Sequence, residues 1–306
     1  MKKSYLLLLA ATLWFAPGCK KSEVNTNPDP VVPITPPITP PVTPPVTPPV
    51  TPPASMDGED ESLFLGNPSN ATADVNDPTN YLMNSGYYGT SYNADKATPN
   101  WVSWHVSASD LGSTTRQDDF RPNESLPSGW YRVDNFSYSG SGFDRGHMCP
   151  SADRNSSAEA NSSTFLMTNI VPQAPSNNQV TWANLETYCR NLVTSGNELY
   201  IIAGVYGIGG TGNNGPADYI DNGRITVPAY VWKTVLIIPN GTNDLQRINN
   251  QTRVISVWMP NANSTGSNWK AYRVSVRDLE AATGYDFYSK LPQSIQDAIE
   301  TSVDNL

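Results

Sequence analysis

The sequence predicts an α+β domain, a central sheet carrying helices, preceded by a leader and a linker that stand outside the fold. Three observations predict it. Leu199 to Val205, Ala229 to Ile238 and Arg253 to Met259 are dense in Val, Ile, Tyr and Trp, the composition of core strands. Trp182, Leu185, Cys189 and Leu192 recur at helical spacing between Trp182 and Val193, which places a helix ahead of those strands. Beyond the first 53 residues about 250 remain, enough for one well-buried domain, with no internal repeat.

The chain starts Met1-Lys2-Lys3, runs through the apolar Leu6 to Leu9, and reaches Phe15-Ala16-Pro17-Gly18 before Cys19. The apolar run is too short to span a bilayer and has the grammar of an export signal. Small residues just ahead of a cysteine resemble the lipobox of bacterial lipoproteins, although Ala16 stands where leucine is commoner. Residues 1–18 are therefore expected to be a lipoprotein signal peptide, with Cys19 acylated and the domain held at the membrane or cell surface. The alternative is an ordinary secretory signal with an incidental cysteine. From Pro28 to Pro53 Thr-Pro-Pro repeats with Val or Ile between, a polyproline II composition that cannot build a core. Extended, those residues reach about 80 Å at ~3.1 Å each, so 19–56 reads as a spacer rather than a ligand for a proline-binding module. Residues 57–306 are the domain.

Within it, Trp101 to Val106 reads as a strand on which His105 simply sits, and a polar, turn-rich segment follows around Arg116, Asp118 and Phe120. Gly140-Ser141-Gly142 marks a tight entry into the next element. Thr164 to Val171 is apolar and β-prone, so a strand there precedes the helix. Gly207 to Gly215 lacks the Lys-Ser/Thr and the helix of a phosphate loop, and is expected to be a surface loop. Tyr272 to Val276 reads as a strand, and Val276 to Ala282 as a short helix. Beyond Cys19 the cysteines are Cys149 and Cys189, an even count in an exported protein. The expectation is a Cys149–Cys189 disulfide, the alternative two buried thiols.

Charge restricts the function. A net charge of −9 and a pI near 4.7 have the wrong sign for a broad basic face gripping polyphosphate, so any nucleic-acid chemistry must rest on local groups. The chain has two histidines, His105 and His147, so acid-base chemistry near neutral pH falls to one of them. His147 closes Asp144-Arg145-Gly146-His147. Thr168-Asn169, Pro172-Gln173, Asn178, Trp182, Leu185 and Glu186 follow it.

That set resembles the DNA/RNA non-specific endonucleases, the ββα-metal nucleases marked by Asp-Arg-Gly-His followed by Asn, then Asn and Glu. Here these are Asp144 to His147, Asn169, Asn178 and Glu186. The resemblance reaches upstream through Arg116-Gln117-Asp118-Asp119-Phe120-Arg121-Pro122, and downstream through Gly204, Trp232-Lys233 and Thr283-Gly284-Tyr285-Asp286-Phe287. It covers roughly residues 63 to 301. Asn123 departs from the family, whose members usually carry Asp there, and it is given no role. The resemblance implies a central antiparallel sheet, a ββα-metal (His-Me finger) active-site motif, and metal-dependent hydrolysis of DNA and RNA.

The residue types suit that chemistry. Phosphodiester hydrolysis needs a water losing its proton in line, compensation of phosphoryl charge and stabilisation of the leaving oxygen. An imidazole with a pKa near ~6.5 suits the first task, so His147 is the candidate general base. The resemblance implies that its second ring nitrogen is oriented by a backbone carbonyl. Asn178 offers a hard amide oxygen to Mg²⁺, with Mn²⁺ as the other ion considered. Glu186 is eight residues further on, about 12 Å along a continuous helix at ~1.5 Å per residue, so it is expected to hold the ion's waters rather than the ion. Arg145 and Arg116 are candidate phosphate clamps, since a guanidinium presents paired donors and keeps its charge. By the same resemblance Asn169 supports the metal and histidine side of the site. Asp144 reads as structural, because a carboxylate beside the phosphate would repel it unless paired. Two other readings remain in view, a tethered nucleic-acid-binding lipoprotein without activity and a phosphodiesterase for small phosphoesters. A zinc hydrolase is disfavoured, since neither histidine has a metal-ligand spacing with another His or with cysteines.

Overall fold

The computed structural model describes residues 58–306; the expected signal peptide, Cys19 and the spacer lie outside the described residues. Chain order runs through β1 (Tyr81–Asn84), β2 (Gly89–Asn93), β3 (Thr98–Val106), β4 (Asp144–His147), α1 (Ala158–Ser163), β5 (Ile170–Gln173), α2 (Ala183–Thr194) and β6 (Asn197–Tyr206). It continues with β7 (Gly210–Gly212), β8 (Gly215–Ala217), β9 (Tyr219–Ile220), β10 (Ile225–Thr226), β11 (Tyr230–Pro239), α3 (Asp244–Arg247), β12 (Arg253–Pro260), β13 (Arg273–Val274), α4 (Val276–Thr283) and α5 (Gln293–Glu300).

The centre is a seven-stranded sheet in the order β1-β2-β3-β6-β11-β12-β13. Every pairing in it is antiparallel. Successive side chains of a strand face opposite sides, so the largely apolar runs of β6, β11 and β12 supply two cores. Leu199, Ile201, Val231, Val235, Ile255 and Val257 enter one; Tyr200, Ile202, Trp232, Leu236 and Val254 enter the other. The first face is covered by α2 through Leu185, Cys189 and Val193, and the second by α4 and α5 through Val276, Leu279 and Ile299. The result is the expected α+β fold with an antiparallel central sheet.

The hairpin that carries the motif lies on the α2 side. β4 pairs with β5 in antiparallel register, His147 opposite Ile170 and Gly146 opposite Val171. Gly146 is required by close approach, since a Cβ there would sit 2.2 Å from Gln173 Oε1. The tight entry ahead of it is real: Gly142 has φ +84°, and a Cβ would meet the Asn214 backbone nitrogen at 2.7 Å.

Several expectations need correction. Of the β-prone Thr164 to Val171 only Ile170 and Val171 are strand, the start of β5; Met167 to Asn169 form a 3₁₀ turn that aims Asn169 back at the loop after β4. The glycine-rich loop folds as the small β7–β8 hairpin, with Gly210 and Gly212 buried. The strand near 272 is two residues long. Cys149 and Cys189 are free thiols, not a disulfide. Both are packed in the apolar core on the α2 face, where burial pushes the Cys149 thiol up and the Cys189 thiol to about 12. The backbone at Cys149 is pinned by Asn169 rather than by a bridge.

Candidate active site

β4 delivers Asp144, Arg145 and His147 as a unit, and α2 delivers Glu186. Between them Asn177–Trp182 form a π-helical turn holding Asn178. Asn178 and Glu186 are thus not on one regular helix, as the spacing estimate assumed. A widened turn of this kind commonly marks a functional position, because it displaces a side chain that regular winding would hide.

An open cleft of about 600 Å³ is lined by Arg116, Phe120, Asp144, Arg145, Asn178 and Gln179, among others. Asp144 Oδ2 accepts hydrogen bonds from Asn178 Nδ2 and from Gln179 Nε2, each 2.8 Å long. The carboxylate expected to be structural is therefore paired with two amides, not with an arginine. With its NH₂ group committed to Asp144, Asn178 has its amide oxygen as the group left to offer a ligand.

His147 is 8 % exposed and lies between two phenyl rings, with centroids 5.4 Å from Phe120 and 5.0 Å from Phe165. Each ring also supports one arginine. Arg145 Cζ is 3.9 Å from the Phe120 centroid, and Arg116 Cζ is 4.7 Å from that of Phe165. Arg116 is further held by Asp118 and Ser151, both at 2.7 Å. Burial first, then the Arg116 and Arg145 charges, lower the His147 pKa to about 3, so the ring is neutral at physiological pH. The backbone carbonyl expected to orient the ring is not found for Nε2, which is buried without a hydrogen-bond partner. Aromatic packing fixes the ring instead.

Asn169 does not reach the cleft. It is fully buried and its side chain is spent, accepting from Cys149 N at 2.9 Å and donating to Cys149 O and Thr164 O at 2.8 Å. It braces the loop after His147, a supporting position and not one that touches a reacting group. Asn123 forms a turn, accepting from Ser125 N and donating to Thr168 Oγ1 at 3.0 Å.

Glu186 is half-buried, and burial raises its pKa; among the neighbouring charges Lys233 lowers it and Asp153 raises it. Sequence reasoning missed this charged layer beneath the site. Lys233 is 1 % exposed on β11, with Nζ 4.2 Å from the Trp182 ring centroid and 5.5 Å from that of Trp104. Asp153 accepts from Trp104 Nε1 at 3.1 Å and pairs with Arg190 at 3.0 Å. A lysine inside the apolar run 229–238 was the available signal for it. Nothing in the sequence order announced the Phe120–His147–Phe165 packing.

Residues 67–294 match the family model of the DNA/RNA non-specific endonucleases. The chain belongs to this family. This endonuclease-family chain is 50 % identical over 243 residues to a nuclease of Nostoc sp. strain PCC 7120, covering 79 % of its own length and 86 % of the relative's. It is 31 % identical over 216 residues to Nuclease C1 of Cunninghamella echinulata var. echinulata, covering 68 % of its own length and 82 % of that protein. To the mitochondrial nuclease EXOG of Mus musculus it is 32 % identical over 216 residues, 68 % of this chain but 56 % of the mouse protein, so it spans only about half of that relative. Its fold matches a chain of the EndoG/EndoGI complex with TM-score 0.62 at 22 % identity, over 79 % of this chain and 95 % of that one. The ββα-metal fold and a nucleic-acid hydrolase follow.

Proposed function

We propose that this member of the family cleaves DNA and RNA without sequence preference, using His147 as general base and one divalent ion held by the Asn178 amide oxygen. The observation that carries the reading is a cleft lined by Arg116, Arg145 and an Asn178 whose donor is locked by Asp144, with a neutral His147 packed directly against Phe120 of its wall. The donor set fits Mg²⁺ or Mn²⁺: a neutral amide oxygen from Asn178, with Glu186 in the proposed role of accepting hydrogen bonds from the ion's waters. Bound there, the ion would supply charge compensation at the phosphate and an acidic water for the leaving oxygen.

The protein groups divide the remaining work. Arg145, stacked on Phe120, and Arg116 bind the phosphate oxygens. A phosphodiester between them offsets the two charges that depress the His147 pKa, so substrate binding raises the basicity of the imidazole where a water must lose a proton. Asn169 keeps the loop after His147 in place. The contacts go to phosphate, not to base edges or the 2′-hydroxyl, which is why both nucleic acids are accepted.

Export as a lipoprotein anchored through Cys19 belongs to the same proposal, supported by the leader grammar and the Thr-Pro-Pro spacer. Metabolic labelling with a fatty acid, lost in Cys19→Ala, tests it. The activity is tested on supercoiled plasmid and structured RNA with Mg²⁺, Mn²⁺ or chelator, comparing wild type with His147→Ala. Metal-dependent loss of both substrates, reduced about 10²–10⁴-fold by the substitution, is expected. Equal cleavage by the variant would remove His147 from its role, and no cleavage with either ion would leave a tethered binding protein.

A further inference from the structure

A second polar cluster lies away from the cleft and shares no residue with it. It joins Asp60 at the start of the described domain, His105 on β3, Glu198 on β6 and Asp244 on α3. One ligand-type atom from each of the four lies within 4.8 Å of the others. Three of them are buried: His105 is 5 %, Glu198 2 % and Asp244 0 % exposed. Asp60 is the exposed member and lines, with His105, an adjoining cavity of about 180 Å³ that offers a route from solvent.

The decisive atom is His105 Nε2. It is buried, makes no hydrogen bond, and points into the cluster, 3.4 Å from Asp60 Oδ1 and 3.4 Å from Glu198 Oε2. That separation is longer than the ~2.7–3.2 Å of an N–H···O hydrogen bond. It equals the edge of a tetrahedron whose metal–ligand bonds are about 2.1 Å, the length for zinc with imidazole nitrogen and carboxylate oxygen, which puts that edge near ~3.4 Å.

Charge points the same way. Arg247 donates to Glu198 Oε1 and to Asp244 Oδ1, and Tyr200 donates its hydroxyl proton to Asp244 Oδ2. One guanidinium is therefore shared between the two buried carboxylates, with the exposed Asp60 beside them and the exposed Glu59 accepting from the Asp244 backbone nitrogen at 3.1 Å. Two buried carboxylates on a single guanidinium are costly unless a further positive charge joins them. An imidazole in the donor set favours an ion of zinc type over Ca²⁺ or Mg²⁺, which prefer oxygen alone.

We propose that Asp60, His105, Glu198 and Asp244 bind one divalent transition ion of the zinc class, a structural site independent of the cleft. The ion ties the segment around Asp60 to two neighbouring central strands and to α3.

The test is metal content and thermal stability of the purified full chain dialysed against Zn²⁺ alone, in an Asn178→Ala background so that the cleft ion does not contribute. One zinc per chain and a raised Tm are expected in that background. Asp60→Asn and His105→Gln, added singly, should each weaken zinc binding about 100-fold and abolish the rise in Tm. Asp60 is exposed, so its substitution spares the core and decides the matter if the His105 variant does not fold. Zinc content and Tm shift unchanged by Asp60→Asn, or no zinc retained at micromolar concentration, would overturn the site.

Discussion

Asp144 and Asn178 are joined by a 2.8 Å hydrogen bond across the cleft, from the Asn178 amide NH₂ to the Asp144 carboxylate. The bond turns the first residue of the Asp-Arg-Gly-His strand into an orienting group for a residue 34 positions later. It also removes the electrostatic objection to a carboxylate beside a bound phosphate, because Asp144 is shared between two amide donors.

Asp144→Ala should therefore act through the metal. Loss of such an orienting partner costs about 10–100-fold in metal affinity or activity. The expected outcome is a Mg²⁺ half-saturation raised by about that factor, with most of the maximal rate recovered at high Mg²⁺. A fall in maximal rate with unchanged Mg²⁺ dependence would show that Asp144 acts elsewhere.

Lys233 reaches the site from below. Its charge lowers a Glu186 pKa that burial raises. Lys233→Met keeps the side-chain bulk against Trp182 and Trp104 but removes the cation, so Glu186 requires a higher pH to ionise. The acid limb of the pH–rate profile should move to higher pH and kcat should fall with KM nearly unchanged, while Lys233→Arg restores the profile. Stability should drop by about 2 kcal/mol from the lost cation–π contacts. An unshifted acid limb in the Met variant would separate Lys233 from Glu186.

Much of this was legible in the sequence because it is local. Strands β6, β11 and β12 and helix α2 declare themselves by composition and period, and Asp144 to His147 sit on one four-residue strand. What was not legible depends on contacts between distant segments. Phe120 and Phe165 meet around His147 only when the 3₁₀ turn at Met167–Asn169 folds against the segment after Arg116. The disulfide expectation followed from counting cysteines, a count that holds no information about whether two thiols face each other in a core. His105 was read as a residue merely carried by its strand, and the strand does carry it, into a cluster assembled from four separate segments.

Acid stability should report on His147. Its pKa in the fold is lowered to about 3 from an ordinary value near 6.5. The unfolded chain therefore binds the proton first as pH falls. The stability contributed by the neutral ring is complete above about pH 6.5 and is lost progressively from there down toward pH 3. Between pH 7.5 and pH 5 the wild type should lose about 2 kcal/mol more than His147→Gln, as read from urea midpoints. Parallel losses in the two proteins would show that His147 titrates normally.

Cys149 and Cys189 should behave as buried thiols. Alkylation without reductant should label neither in the native protein and both after denaturation, as read by peptide mass spectrometry, and Tm should not change with dithiothreitol. A Cys149–Cys189 peptide linked by sulfur would contradict the free thiols of the structure.

Binding should be only weakly sensitive to salt. The chain is acidic, at −9, and the cleft is lined by Arg116 and Arg145, the cations proposed to bind phosphate. Each neutralised phosphate adds about −0.9 to the slope of log affinity against log salt, so duplex DNA binding without divalent ion should show a slope near about −2. Of the two guanidiniums Arg145 lies closer to its ring, over Phe120, and a lysine cannot reproduce both that contact and the paired donors. Arg145→Lys should thus reduce kcat/KM about 10-fold or more on DNA and RNA alike, with little change in the salt slope because the charge is kept. A slope several units steeper would mean that phosphates are bound by cations beyond the cleft, and a loss confined to one nucleic acid would mean that Arg145 reads the sugar or the base.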